Sequence, residues 1–295
     1  MKMTRKDFLR GSASAAGAGL FAGTTASSTV NTATPTASRP QGSMTLIKGA
    51  TILSMDPKLG DIIDGDVLFE GRKILEVGHN IRAPNADLVD AKDMILMPGM
   101  CDGHRHLWEP MAVNRPDFTL VTWHMMWAVA MKPENVYDYC YLGGKMAIDS
   151  GVTRVIDEAH VAHTPEKLEA SMRGAIASGI GGVNCPRLSS PVSYGPGDTV
   201  DFKKAWDTRV GRGADWHFER AAKLRDELFS DSDAPLQFGV SHLNPESGAT
   251  PVEQIHAEIA RCWALEPKMM KGVIFGEYGA TVSCALFPIL LKPGY

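Results

Sequence analysis

The chain has 295 residues, 44% hydrophobic and 22% charged, with a formal net charge of -4. That is ordinary globular composition with ample material for a core, which excludes a wholly disordered chain. The slight negative charge gives no basic surface for nucleic acid or an anionic membrane. The five cysteines, Cys101, Cys140, Cys185, Cys262 and Cys284, are scattered and form no CxxC pair. Neither a disulfide framework nor a four-cysteine zinc site is expected, and each reads as a small buried hydrophobe.

Residues 1–43 have their own character. The basic segment Thr4-Arg5-Lys6-Asp7-Phe8-Leu9-Arg10 precedes a small-residue run from Gly11 to Gly23, and a Ser/Thr/Ala/Pro stretch continues to Ser43. This is the order of an export signal followed by a disordered linker, too short and too weakly apolar for a stable membrane anchor. It resembles a twin-arginine signal with Lys6 in place of the second arginine. The expected mature protein is periplasmic or secreted, cleaved near Ala26 or Ala37, and free of the membrane.

Residues 44–96 read as a small β-rich, sandwich-like domain. Thr45 to Ile47, Thr51 to Leu53, Asp66 to Phe69 and Lys73 to Val77 are short apolar or alternating runs, separated by Gly49, Gly65 and Gly71. Glycines at those positions suggest tight connections, and Gly71-Arg72 a hairpin.

From residue 97 to 275 short apolar strands alternate with helical stretches. Strands are expected at Thr153 to Ile156, Ile180 to Asn184 and Leu236 to Val240, and helices at Glu134 to Ser150, Pro165 to Ser178, Ala214 to Phe229 and Pro251 to Leu265. Lys271 to Phe275 is a candidate fifth strand. Such alternation predicts βαβ units and a parallel sheet. The loop from Cys185 to Phe202 is long enough to shape a binding site. Residues 276–295 show no amphipathic helical period and form an atypical tail.

The chemistry lies at His104-Arg105-His106, which follows Pro98-Gly99-Met100-Cys101-Asp102-Gly103. Residues two apart on a strand point the same way, so both imidazoles can face one metal ion while Arg105 points elsewhere. A barrel's reactive groups gather at the C-terminal ends of its strands, where this triplet falls. Trp108 and Glu109 lie just beyond and are candidate pocket residues. Asp157, Glu158, His160 and His163 follow the second expected strand. Glu158 and His160 are candidate substrate contacts, and Thr164-Pro165-Glu166 reads as a helix cap with proline at the first position. His242, after the fourth strand, is a candidate third ligand or substrate contact. His79, His124, His217 and His256 read as surface or packing histidines.

Residues 98–106 resemble the first barrel strand of the amidohydrolase superfamily: Pro-Gly, two apolar residues, Asp, a small residue, then His-x-His. Residues 44–97 look like the β domain that precedes that barrel. Gly151 to Asp157 looks like its second strand, and Ser178-Gly179-Ile180 leads into the third as in cytosine-deaminase-like and chlorohydrolase-like members. The resemblance implies a (β/α)8 TIM-type barrel that binds zinc or iron at His104 and His106. It also implies hydrolysis of carbon–nitrogen bonds other than peptide bonds, in small-molecule amides, cyclic amides or ring amines, by metal-activated water. Further ligands are implied from the fourth, fifth, sixth and eighth strands. Here the chain departs from the pattern. No histidine follows His256, and the stretch from Met97 is shorter than the roughly 250 residues of a typical barrel. The sequence therefore predicts an incomplete barrel. Beside the active hydrolase stand an inactive truncated fragment, whose open strand edges favour homo-oligomers, and a periplasmic binding module without chemistry.

Overall fold

The computed structural model describes residues 43–110, 127–188, 199, 213–241, 252–268 and 270–271. The expected export signal, the tail, His124, His242 and nearly all of the loop after Leu188 lie outside them. The chain forms two compact units, divided between Leu96 and Met97.

The first unit is one five-stranded sheet. Strands β1 (Met44–Leu53), β2 (Asp61–Glu70) and β3 (Lys73–Gly78) are antiparallel neighbours, while β4 (Asp87–Asp90) and β5 (Ile95–Leu96) run parallel to β1. The expected hairpin at Gly71-Arg72 joins β2 to β3. The strands expected on either side of Gly49 are a single strand. Gly49 makes an irregularity within β1, where the register shifts between Ile47 and Ala50, and its φ of +79° is a conformation glycine adopts without steric cost. Gly65 likewise lies inside β2. Leu46 pairs with Leu68 and Ile47 with Val67. Successive side chains on a strand point to opposite faces, so the sheet is apolar on both. Leu46, Leu68 and Ile81 form one cluster; Ala50, Ile52, Val67 and Ala91 form the other. Among the described residues of this unit there is no second sheet.

The second unit carries the expected parallel sheet. Its order is β6 (Met100–Arg105), β7 (Val152–Ala159), β8 (Gly181–Pro186), β9 (Leu236–Phe238), with every neighbouring pair parallel. Helix α1 (Pro133–Asp149) lies between β6 and β7 in the chain, α2 (Pro165–Ser178) between β7 and β8, and α3 (Asp215–Leu228) between β8 and β9. The expected fourth strand is interrupted at Gly239, whose N–H donates to Asn184 O at 2.8 Å. Beyond it β10 (Val240–Ser241) pairs in parallel with β11 (Met270–Lys271), and α4 (Val252–Trp263) lies between them in the chain. The candidate fifth strand thus begins one residue before Lys271, and its remainder lies outside the described residues.

Local chemistry explains these boundaries. Thr164 caps α2 by accepting the Lys167 N–H at 3.3 Å, and Pro165 occupies the first turn, where its missing N–H costs nothing. The core is built from the inner faces of the helices and the sheet, including Leu107, Trp108, Val136, Leu168, Met172 and Leu224. Gly143 lets α1 approach the site: a Cβ there would stand 1.9 Å from Leu107 O. Cys140, Cys185 and Cys262 are buried as expected. Cys101 is exposed, because β6 is an edge of the described sheet.

Candidate metal centre

The site forms where β6, β7, β8 and β10 end. His104 is in β6 and His106 lies just past it. Their alternation works as the spacing predicts: the two Nε2 atoms are 3.2 Å apart. Arg105, between them, turns away and donates to Asp102 Oδ2 at 3.2 Å. Asp102 Oδ1 accepts the His104 N–H at 3.1 Å, which holds the strand end from which the pair projects.

His106 is oriented by β7. Its Nδ1 lies 2.8 Å from the backbone carbonyl oxygen of Glu158. A carbonyl only accepts, so Nδ1 carries the proton and Nε2 of the neutral ring presents a lone pair towards His104. Such a contact from the far ring nitrogen is the usual way a metal-binding histidine is aimed. The chain after His106 is fixed by Asp157. This carboxylate, fully buried, accepts the Leu107 N–H at 3.0 Å and Asn184 Nδ2 at 2.6 Å.

Asp157 and Glu158 do not follow the second strand, as the sequence suggested; β7 runs on to Ala159 and contains both. Their burial allows this extension, because each carboxylate has partners on neighbouring strands. Glu158 Oε1 accepts from Arg187 Nε at 3.2 Å, from Arg187 Nη2 at 2.6 Å and from Ser241 Oγ at 2.9 Å. Its Oε2 stands 3.8 Å from His104 Nε2. Arg187 follows β8, Ser241 belongs to β10, and the two are bridge partners across the sheet.

On the other side of His106 lies His160, with ring centroids 4.0 Å apart. Glu109 Oε1 is 3.4 Å from His160 Nε2. Trp108 does not line an open pocket: it is 1% exposed, packed in the core edge-on to His160. Two groups of donor atoms therefore meet at His106. His104, His106 and Glu158 form one, and His106, Glu109 and His160 the other, each with its donor atoms within 4.8 Å of one another.

Of the other described histidines, His217 is packed and His79 exposed, as expected, and His163 is buried as well. Burial first, and the nearby Lys167 charge second, bring His163 down to about 3. His217 falls to about 4 through burial, although its contact with Ala162 O at 2.7 Å favours the protonated ring. His79 is exposed beside Asp64 O. His242 and the His256 side chain lie outside the described residues. Arg187, Ser241 and Asn184 escaped the sequence reading. Their signal was positional: Asn184 lies near the end of β8, Arg187 just after it and Ser241 at the end of β10, where a barrel places its reactive groups.

The histidine pair fits a divalent metal. Imidazole nitrogens about 2.0–2.1 Å from a tetrahedral zinc stand about 3.3 Å apart, and these stand at 3.2 Å.

No family model matches the chain. A 5'-deoxyadenosine deaminase of Methanosarcina acetivorans is 34% identical over 144 residues, which are 46% of this chain and 33% of the relative. The zinc- and atraton-bound structure of a mutant atrazine chlorohydrolase from Arthrobacter aurescens matches with a TM-score of 0.60 at 17% identity, over 82% of this chain and 55% of that one. An amidohydrolase from a Sargasso Sea environmental sample matches with a TM-score of 0.55 at 15% identity, over 78% and 52%. The chain thus spans about a third of the length of the sequence relative and about half of the solved structures. The fold is of the TIM-barrel type, α/β, and the chain contains a parallel and a mixed sheet. In sequence the chain is similar to a deaminase over 144 residues, and in fold to an amidohydrolase and a chlorohydrolase; residues 98–106 resemble the amidohydrolase superfamily.

Proposed function

We propose that this chain acts as part of a metal-dependent hydrolase that cleaves carbon–nitrogen bonds other than peptide bonds in small molecules, with amides, cyclic amides and ring amines as the substrate class. The carrying observation is the His104–His106 pair, with Nε2 atoms 3.2 Å apart and His106 aimed by the Glu158 carbonyl. The deaminase relative supports carbon–nitrogen chemistry, and the zinc in the chlorohydrolase structure supports zinc as the ion, with iron the alternative. On this reading β6 to β11 are the first strands of a (β/α)8 barrel, and residues 44–96 are the β domain before it.

A divalent ion at this site supplies Lewis acidity, lowering the pKa of a water from 15.7 to about 7. The chain's own residues do the rest. His104 and His106 bind through Nε2. The Glu158 carbonyl keeps the proton of His106 on Nδ1. Asp102 and Asp157 fix the strand end on both sides of the pair, and buried Leu107 and Trp108 exclude water beneath it. His160, tilted against His106, and Glu109 beside it are assigned to the substrate side of the site.

The test is turnover of a panel of amides, cyclic ureas and ring amines by the full chain. Activity that is lost on chelation and returns with zinc is expected. Zinc-loaded protein that turns over none of them contradicts the reading. Export by the twin-arginine route is proposed as well, on the order of Arg5-Lys6, Phe8-Leu9 and the weakly apolar run. Cell fractionation should find a shortened form outside the cytoplasm; a full-length cytoplasmic product rejects it.

A further inference from the structure

Two histidines from one strand leave most of a metal's coordination to water, so the third protein ligand decides whether the site holds its ion. The amidohydrolase resemblance places later ligands after the fourth, fifth, sixth and eighth strands. The structure puts a carboxylate beside the pair from the second.

Glu158 is 1% exposed. A carboxylate taken out of water costs several kcal/mol unless it is paired and hydrogen-bonded, so its burial here needs a reason. Arg187 and Ser241 account for one oxygen. Two N–H groups of the guanidinium, on Nε and Nη2, and the serine hydroxyl converge on Oε1. That clamp fixes the carboxylate plane and turns Oε2 towards His104 Nε2, at 3.8 Å. The separation is too long for a hydrogen bond. It suits two atoms bound to one ion: ligands about 2.1 Å from zinc stand about 3.4 Å apart at the tetrahedral angle and about 4 Å apart at wide angles. The same residue also aims His106 through its backbone carbonyl. Glu158 therefore bears on both histidines, one through its backbone and one through its side chain.

We propose that Glu158 is the third protein ligand of the metal, through Oε2, with Arg187 and Ser241 as its positioning residues; this rests on the metal-site reading above. The assignment makes a two-histidine, one-carboxylate set from β6 and β7 alone, which leaves a fourth position for water or substrate. It needs no contribution from His242. Arg187 occupies Oε1, so the carboxylate binds through one oxygen only.

The experiment uses the full chain, freed of metal and titrated with Co2+ and with Zn2+, reading affinity by chelator competition and coordination by the cobalt visible spectrum. Wild type is expected to bind one ion with the intense bands of a four-coordinate site. Glu158→Gln should weaken binding at least 100-fold and shift the bands towards a water-rich site. Glu158→Gln leaves Arg187 buried without its partner and threatens the fold, so the paired variant Glu158→Gln/Arg187→Met removes both charges together and should show the same loss while keeping its circular dichroism. Ser241→Ala keeps the ligand and should weaken binding 10- to 100-fold, the size expected for a group that orients a ligand. A folded paired variant with wild-type affinity and spectrum, beside a His104→Ala/His106→Ala variant that binds nothing, overturns the assignment and leaves the proposed function standing. A wild-type chain that binds neither ion overturns both.

Discussion

Asp66 and Glu158 are both buried carboxylates, 2% and 1% exposed, and they meet the same desolvation cost in different ways. Asp66, in the first unit, accepts two backbone N–H groups, from Gly49 and Ile81, each at 3.0 Å. It staples the irregular part of β1 to the chain after β3. Glu158, in the second unit, is held by side chains on two other strands, with one oxygen turned towards a histidine. A carboxylate satisfied by backbone serves the fold, because any chain with that path needs it. One held by an arginine and a serine that converge from other strand ends, with an oxygen turned towards a histidine, is what the proposed metal site uses. The two units differ in the same sense. Among the described residues of the first unit only Thr45 and Asp66 are buried polar groups, whereas the second buries Asp157, Glu158, His160, Asn184, Arg187 and Ser241 around one point.

The sharpest way to break this contrast is Asp157→Ala. It leaves the Leu107 N–H and the Asn184 amide without their acceptor. The expected result is a loss of about 3 kcal/mol in denaturant unfolding together with metal binding weakened 10- to 100-fold. A loss of stability with metal affinity unchanged would mean that Asp157 belongs with Asp66 rather than with the site.

The buried histidines predict a pH dependence. His163 and His217 titrate near 3 and 4 in the folded chain and near 6.5 when unfolded. Below pH 6.5 the unfolded state takes up protons that the folded state does not, so their stabilisation is complete above 6.5 and is lost as pH falls towards 4. Each contributes about 1 kcal/mol per pH unit across that window. A stability curve flat from pH 7 to 5 would contradict their neutral burial.

Asp66→Ala comes next. It should cost about 2 kcal/mol and leave metal binding untouched, because Asp66 contacts only backbone in the first unit. Any change in metal affinity would erase the distinction between the two carboxylates. Smallest is Thr164→Ala, which removes the α2 cap and should cost about 1 kcal/mol in thermal unfolding.

The parallel sheet and its helices were legible because periodicity and caps are local signals. Pro165 to Ser178 was readable to the residue, since Thr164, Pro165 and Gly179 mark both ends of α2. Gly49 and Gly65 misled, because a glycine that permits an irregularity inside a strand looks in sequence like one that makes a turn. At the site, the histidine pair was readable because its two members sit two residues apart. The Glu158 clamp was not, because Arg187 and Ser241 are 29 and 83 residues away and only the parallel pairing of the strands brings them together. Trp108 was misplaced for a related reason: proximity to the site in sequence put it in the pocket, and the fold put it beneath.

The most direct test of the metal centre is the metal content of the full chain and of its His104→Ala/His106→Ala variant, purified side by side after zinc loading and measured by elemental analysis. Close to one zinc per wild-type chain and background zinc in a folded double variant is the expected result. Equal zinc in the two proteins would contradict the assignment of His104 and His106 as the metal-binding pair.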